Sequence, residues 1–344
     1  MPCGHKENRS LTMKHILSPL DLTDADRDLI FKRALGLKER RIDPVHAGKR
    51  VGGLYFNPSL RTRVSWEGAA EAVGCSCQTL NAGQDMWAME MDPLAVMDKD
   101  QQECVVEAAG VLGRFFDVLG VRSFPKGGPW EEERDEPVLK AFVEHSNTNV
   151  VSLEGAMHHP CQGLADHLTL REEFGPYLEG LPVVLMWGWH PRHLPMAVPN
   201  TFALQSVLAG ASLTIAHPEG WDLDPLFMKT LNKEAEKKGR PLRISHSKEE
   251  ALKGAKAVYV KSWGRLSTPG EPAPDSLRSW MMDDELWILT ENAKVMHCLP
   301  TRRNVEIASS VLDSPRSIVL RQAENRLWAQ AGLIDLILRG SNAL

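Results

Sequence analysis

Apolar residues recur along this chain in two rhythms, and the rhythms alternate. Residues 23–40, TDADRDLIFKRALGLKER, place Leu29, Ile30, Ala34 and Leu37 at helical spacing behind an acidic first turn that suits the helix dipole. Short apolar runs predict strands at 50–56 (RVGGLYF), 117–122 (DVLGVR) and 149–153 (NVVSL), with helical stretches between them near 60–74, 98–116 and 131–144. A second series predicts strands near 182–187 (PVVLMW), 211–216 (ASLTIA), 242–246 (LRISH), 256–260 (KAVYV) and 294–297 (KVMH), again with helices between. Such alternation predicts an α/β protein built as two parallel-sheet α/β domains. The expected division is 13–165, completed by a C-terminal helix at about 322–344, and 166–321. Ligands of open parallel sheets sit beyond the strands' carboxyl ends, so an interdomain active-site cleft is expected. The Gly- and Pro-rich segment 264–280 and the segment 81–97 read as long loops, which are more often functional than idle.

Composition narrows the function. At 344 residues and 43% hydrophobic content, the chain has apolar material for two cores. Forty basic against 45 acidic residues leave a net charge of −5, which argues against a nucleic-acid partner. The six cysteines, Cys3, Cys75, Cys77, Cys104, Cys161 and Cys298, form no CxxC pair and suit reduced thiols in a cytoplasmic protein. The N-terminal MPCGHKENRSLTMKH lacks the apolar core of a signal peptide, and no apolar run approaches ~20 residues, so no membrane partner is expected. Residues 1–12 read as a polar tail, or Met13 as an alternative start.

The polar clusters with chemical content follow predicted strands. In YFNPSLRTRVSWE (55–67), Pro58 suits an early helical turn, so that Ser59, Leu60, Arg61 and Thr62 would present free N–H groups at the positive end of a helix. Arg61 or Arg63 adds a fork of donors matched to phosphate or carboxylate. Alone, the same turn reads as a capped helix start with solvated arginines. His159-Pro160-Cys161-Gln162 follows the 149–153 strand, and its His and Gln can both donate to one carbonyl oxygen, or simply cap a turn. His297-Cys298-Leu299-Pro300-Thr301-Arg302-Arg303 follows the last strand, Arg122 ends the 117–122 strand, and Arg326 lies in Ala323-Glu324-Asn325-Arg326. Each has an ordinary structural alternative as a buried thiol or salt-bridge partner.

There is no GxGxxG, GxxxxGK[ST] or GxSxG, and neither His158-His159 nor His190-Pro-Arg-His193 has HExxH spacing. Metal-independent chemistry without a cofactor is expected.

Taken together and in this order, Ser59-Leu60-Arg61-Thr62-Arg63, His159-Pro160-Cys161-Gln162 and His297-Cys298-Leu299-Pro300 resemble the transcarbamylase family, over residues 14–340. That family moves a carbamoyl group from carbamoyl phosphate to an amine. The resemblance implies that Ser59, Leu60, Arg61, Thr62, Trp87, Arg122, His159, Gln162 and Arg326 bind carbamoyl phosphate, with Arg61, Thr62, Arg122, His159, Gln162 and Cys298 catalytic. Where ornithine transcarbamylases carry a Ser-Met-Gly signature, this chain has Lys261-Ser262-Trp263-Gly264. That segment is similar to the N-acetylornithine and N-succinylornithine branch, as are Asp85-Met86-Trp87, Val96-Met97-Asp98 and Phe124-Pro125-Lys126. The branch implies an acylated ornithine bound by Glu154, Lys261, Cys298, Leu299, Gln102 and Glu306. It also implies a homotrimer whose Trp87 reaches a neighbouring subunit's site, and small-molecule substrates as the only partners.

Two positions depart from the acetylornithine pattern. Gln102 replaces a glutamate that helps to distinguish acetyl from succinyl substrates, and Glu306 replaces a lysine carboxylated on its amine. The chain is also one residue longer between Glu154 and His159. The expected reaction carbamoylates the δ-amine of N-acetyl-L-ornithine, giving N-acetyl-L-citrulline and phosphate in arginine biosynthesis. N-succinyl-L-ornithine is the alternative acceptor, and a non-catalytic phosphate-metabolite binder the alternative of another class.

Overall fold

The computed structural model describes residues 13–125 and 128–340; the tail 1–12, Lys126, Gly127 and the last four residues lie outside them. The first half of the chain holds six strands: β1 (Arg50–Tyr55), β2 (Ser76–Asn81), the two-residue β3 (Met89–Glu90) and β4 (Glu103–Cys104), β5 (Val118–Arg122) and β6 (Asn149–Glu154). Its helices are α1 (Asp24–Lys38), α2 (Leu60–Ala72), α3 (Val105–Phe115), α4 (Trp130–Glu133), α5 (Pro137–His145) and α6 (Pro160–Phe174). The second half holds β7 (Pro182–Trp187), β8 (Ser212–Ala216), β9 (Arg243–Ser245), β10 (Ala257–Lys261) and β11 (Lys294–Met296). Between and after them come α7 (Ala197–Leu208), α8 (Pro225–Lys237), α9 (Lys248–Leu252), α10 (Asp284–Ile288), α11 (Ser309–Leu312) and α12 (Val319–Arg339).

Two large all-parallel sheets result, ordered β2-β1-β5-β6 and β11-β10-β7-β8-β9, while β3 and β4 pair in a small parallel sheet of their own. Neighbouring residues of the first sheet face opposite sides, as a pleat requires. Val118 and Val151 join Trp66, Ile334 and Leu164 in one core, while Leu119 and Val150 join Phe142 and Leu112 in another. The second sheet builds its own core around Leu185, Tyr259 and Phe202. Gly52 illustrates how tightly β1 is held. A Cβ there would lie 2.5 Å from the Phe116 ring, while the Gly52 carbonyl accepts the Trp66 indole N–H at 3.0 Å.

The last helix returns to the first sheet. On α12, Gln330 donates to Ser65 of α2 at 2.8 Å and Asn325 to Thr169 of α6 at 2.9 Å, and fully buried Leu333 and Ile334 each contribute about 1.5–3 kcal/mol by leaving water. This return carries Arg326 into the space between the sheets. Among the described residues no helix is long and apolar enough to cross a membrane.

Register places the chemistry. Tyr55 pairs with Asn81 and with Arg122, and Arg122 with Glu154 after a shift at Val121/Arg122, so the first sheet's carboxyl ends form one rim. In the second sheet Lys261 pairs with Trp187 at the corresponding rim.

Candidate active site

The two rims face a cavity of about 410 Å³, a size suited to a small metabolite pair. On its first wall, Ser59 caps α2: the Thr62 N–H donates to Ser59 Oγ at 3.2 Å, and the Ser59 hydroxyl lies 2.9 Å from Thr62 Oγ1. Pro58 precedes the cap instead of entering the helix, and the cap consumes the Thr62 N–H. The cap therefore leaves fewer free donors at the helix end than the sequence suggests, those of Leu60 and Arg61 among them.

Thr62 is where the guanidinium groups converge. Arg326 Nη2 donates to Thr62 Oγ1 at 2.8 Å, and Arg122 Nη1 approaches the same oxygen at 3.4 Å. With its lone pairs engaged, the Thr62 hydroxyl keeps its own proton for a ligand. Arg122 stacks on Phe124, 4.2 Å from the ring centre, and donates to Glu154 Oε2 at 2.5 Å. Glu154 is held at φ 133°, a left-handed backbone that a residue with a Cβ adopts only when its surroundings enforce it. Arg61 lines the cavity with its buried Nε unpartnered.

His159 and Gln162 open α6. The His159 N–H donates to Thr201 Oγ1 at 2.7 Å, which orients the turn, while both buried ring nitrogens lack hydrogen-bond partners and Nε2 lies 3.6 Å from Glu154 Oε2. Burial, with Arg326 and Arg122 nearby, pushes its pKa well down, so the ring is neutral and has one N–H to give. Gln162 corrects the sequence reading. Its NH₂ donates to Asp166 Oδ1 at 2.7 Å, and its buried carbonyl oxygen is unpartnered. Gln162 thus presents an acceptor, so the expectation that it donates beside His159 fails.

The second wall carries Lys261, Cys298 and Leu299, with His190, Leu194, Pro195 and Val198. The Cys298 thiol is pushed up to about 11, mainly by burial, and so is no nucleophile at neutral pH. Leu299, at φ 56°, donates its N–H to His297 Nδ1 at 2.9 Å. His297 Nε2 in turn lies 3.3 Å from Glu306 Oε1, whose other oxygen accepts the Arg302 N–H at 2.9 Å.

The cavity therefore gathers Ser59, Leu60, Arg61, Thr62, Arg122 and Arg326 with His159, Gln162, Glu154, Lys261, Cys298 and Leu299. It does not gather Trp87, Gln102 or Glu306. Trp87 is 63% exposed on the 81–97 loop, Gln102 precedes β4, and Glu306 is buried behind His297. His190, whose Nε2 accepts from Arg302 Nε at 3.1 Å, entered the sequence reading only as part of a rejected metal spacing, although it follows a predicted strand as the other clusters do.

Charge states what the site needs. Arg61, Arg122, Arg326 and Lys261 face the cavity with Glu154 as the one carboxylate on its wall. Burying unmatched cations is costly unless an anion joins them. With orphaned donors on His159 and Arg61 and an orphaned acceptor on Gln162, the cavity suits a ligand that is anionic at one end and amide-like at the other.

Comparison with known proteins agrees. Residues 14–172 match the carbamoyl-P binding domain of aspartate/ornithine carbamoyltransferases, and residues 196–337 match their Asp/Orn binding domain. The N-acetylornithine carbamoyltransferase of Xanthomonas campestris pv. campestris is 37% identical over 95% of this chain and 98% of its own length. The N-succinylornithine carbamoyltransferase of Bacteroides fragilis is 36% identical over 84% and 88%. A crystal structure of acetylornithine transcarbamylase complexed with acetylcitrulline superposes with a TM-score of 0.90, at 37% identity, over 94% of this chain and 98% of that one.

Proposed function

This chain belongs to the aspartate/ornithine carbamoyltransferase family, and from that premise we propose that it carbamoylates the δ-amine of N-acetyl-L-ornithine, giving N-acetyl-L-citrulline and phosphate. The observation that carries this reading is the convergence of Arg122 and Arg326 on Thr62, with Arg61 lining the same cavity, beside an uncharged His159. Phosphate takes the α2 N–H groups of Leu60 and Arg61 with the Arg61 and Arg326 side chains. The carbamoyl oxygen takes donors from Thr62, Arg122 and His159, which strengthen as the attacked carbon turns tetrahedral. The carbonyl oxygen of Gln162 accepts from the carbamoyl NH₂. Lys261, Glu154, Cys298 and Leu299 hold the acylated ornithine so that its neutral amine meets the carbon in line, a gain of several kcal/mol from placement. The C–N bond forms, the C–O bond to phosphate breaks, and the proton lost by the amine leaves with phosphate.

We assign carbamoyl-phosphate binding to residues 13–165 with the helix from about 322, and acceptor binding to 166–321. A role in arginine biosynthesis, a cytoplasmic location and a homotrimer in which Trp87 and Gln102 complete a neighbour's site belong to the same proposal. The exposure of Trp87, Leu94 and Val96 on one loop supports a partner surface there.

Acetyl is favoured over succinyl because the anionic Glu306 lies behind the second wall, although Gln102 removes a charge that would repel a succinyl carboxylate. Initial rates with N-acetyl-L-ornithine, N-succinyl-L-ornithine and ornithine, each with carbamoyl phosphate, test this directly. The acetyl compound should lead; a preference for free ornithine would end the acyl assignment, and binding without product would favour a non-catalytic role.

Glu154 makes a second expectation. Its carboxylate occupies Arg122, which carbamoyl phosphate must engage. Glu154→Gln removes a charge-assisted contact of about 1.5–3 kcal/mol from the empty site. Carbamoyl phosphate should therefore bind roughly tenfold more tightly by calorimetry, while the KM for the acylated ornithine rises. Weaker carbamoyl phosphate binding would show that Glu154 does not compete.

A further inference from the structure

Behind Gln162 lies a chain of buried polar groups that the mechanism leaves unused. The His297 N–H donates to Gln322 Oε1 at 3.0 Å, Gln322 Nε2 to Asp166 Oδ1 at 2.7 Å, and Gln162 Nε2 to the same Asp166 oxygen at 2.7 Å. All four residues are at most 1% exposed. They come from four places in the fold: the end of β11, α12 and two successive turns of α6.

The direction of this chain is set at one end by covalent chemistry. A backbone N–H only donates, so Gln322 must turn its carbonyl to His297 and its NH₂ to Asp166. Asp166 Oδ1, already receiving one N–H, can take only another donor from Gln162. The Gln162 amide is thereby left one orientation, with its oxygen toward the cavity, where it has no partner within the protein.

We propose that Asp166 is a positioning residue for the carbamoyl group: through its Oδ1 it fixes the amide of Gln162 so that the site reads the ligand's NH₂. The proposal rests on the cavity being the carbamoyl-phosphate site. It does not depend on the charge of Asp166. Burial pushes this carboxyl up to about 7 against the pull of Gln162, Gln322, Arg326 and the Tyr259 hydroxyl, and because Oδ1 already receives two N–H groups a proton taken there sits on Oδ2, leaving Oδ1 an acceptor. Without that acceptor the amide is free to flip, and its NH₂ would then meet the ligand's NH₂, donor against donor.

Acetyl phosphate, which carries a methyl group where carbamoyl phosphate carries NH₂, isolates the effect. Dissociation constants of both ligands are to be measured by calorimetry for the parent, Asp166→Asn and Asp166→Leu, with thermal unfolding as a check on folding. The parent should prefer carbamoyl phosphate at least tenfold. Asp166→Asn, which keeps the Oδ1 acceptor, should retain that preference, and Asp166→Leu should bring it near unity while acetyl phosphate binding changes little. A preference retained in Asp166→Leu, or lost equally in both variants, overturns the proposal. Failure of the parent to bind carbamoyl phosphate would instead overturn the reading on which it rests. Neutron diffraction from the parent needs no variant to fold: deuterium on the Gln162 atom that faces Asp166 supports the relay, and deuterium on the atom that faces the cavity refutes it.

Discussion

Arg61→Ala should fold like its parent and lose about 10²–10³ of its kcat/KM for carbamoyl phosphate, the scale on which single preorganised donors to developing charge act. Arg61 lines the cavity and its buried Nε has no partner, so the substitution leaves no protein group unmatched. Burial above all depresses the Arg61 guanidinium pKa, with Arg122 adding to the effect and Glu154 opposing it, which means that the empty site holds this charge at a desolvation cost. Its removal should leave the thermal midpoint unchanged or slightly higher. Arg61→Lys keeps a charge but not the planar fork and should fall between the two. Because phosphate gains charge as it leaves, kcat should fall along with the rise in KM. A variant with near-normal product formation would remove Arg61 from the site; one that unfolds would show that its charge is structural.

How far such residues could be found without coordinates depended on what their positions require. The strands of the second sheet were expected within a residue or two of their observed limits, because PVVLMW and AVYVK are buried on both faces and read as continuous apolar runs. β2 was missed. Its SCQTLN sequence lies half-exposed at the sheet edge and has no such run. The helix expected over 98–116 begins only at Val105, since the polar 98–102 stretch has no apolar face to bury. The helix expected over 131–144 is two helices, broken where Glu136 turns to φ 56° before Pro137. In the site, positions one step beyond a strand or at a helix start were legible because backbone geometry alone places them. Gln162 was found, but its polarity was not. That depends on Gln322, 160 positions away, and no local pattern carries it.

Glu306→Gln tests the opposite wall and should lower both stability and turnover. Burial alone would raise this carboxyl, but the hydrogen bond from His297, the Lys261 ammonium and the Arg302 N–H bring it down to about 2. A carboxyl whose folded pKa lies below its unfolded value stabilises the fold above the unfolded value and loses that contribution as pH falls through the folded one. At pH 7 burial keeps His297 itself neutral, so the contribution rests on its N–H, the Lys261 ammonium and the Arg302 N–H and is about 1–3 kcal/mol. His297 uses Nδ1 to accept from Leu299 and therefore turns Nε2–H toward Glu306. An amide at position 306 must set its NH₂ against either that N–H or the Arg302 N–H, so glutamine restores one contact and opposes the other. Denaturant unfolding should show the variant about 1–3 kcal/mol less stable at pH 7, with the gap closing between pH ~4.5 and ~2. Turnover should fall with it, because the released His297 no longer holds the Leu299 turn that faces the acceptor amine. A gap that stays constant with pH would mean that Glu306 fills space without its charge, and unchanged turnover would detach the His297–Leu299 turn from catalysis.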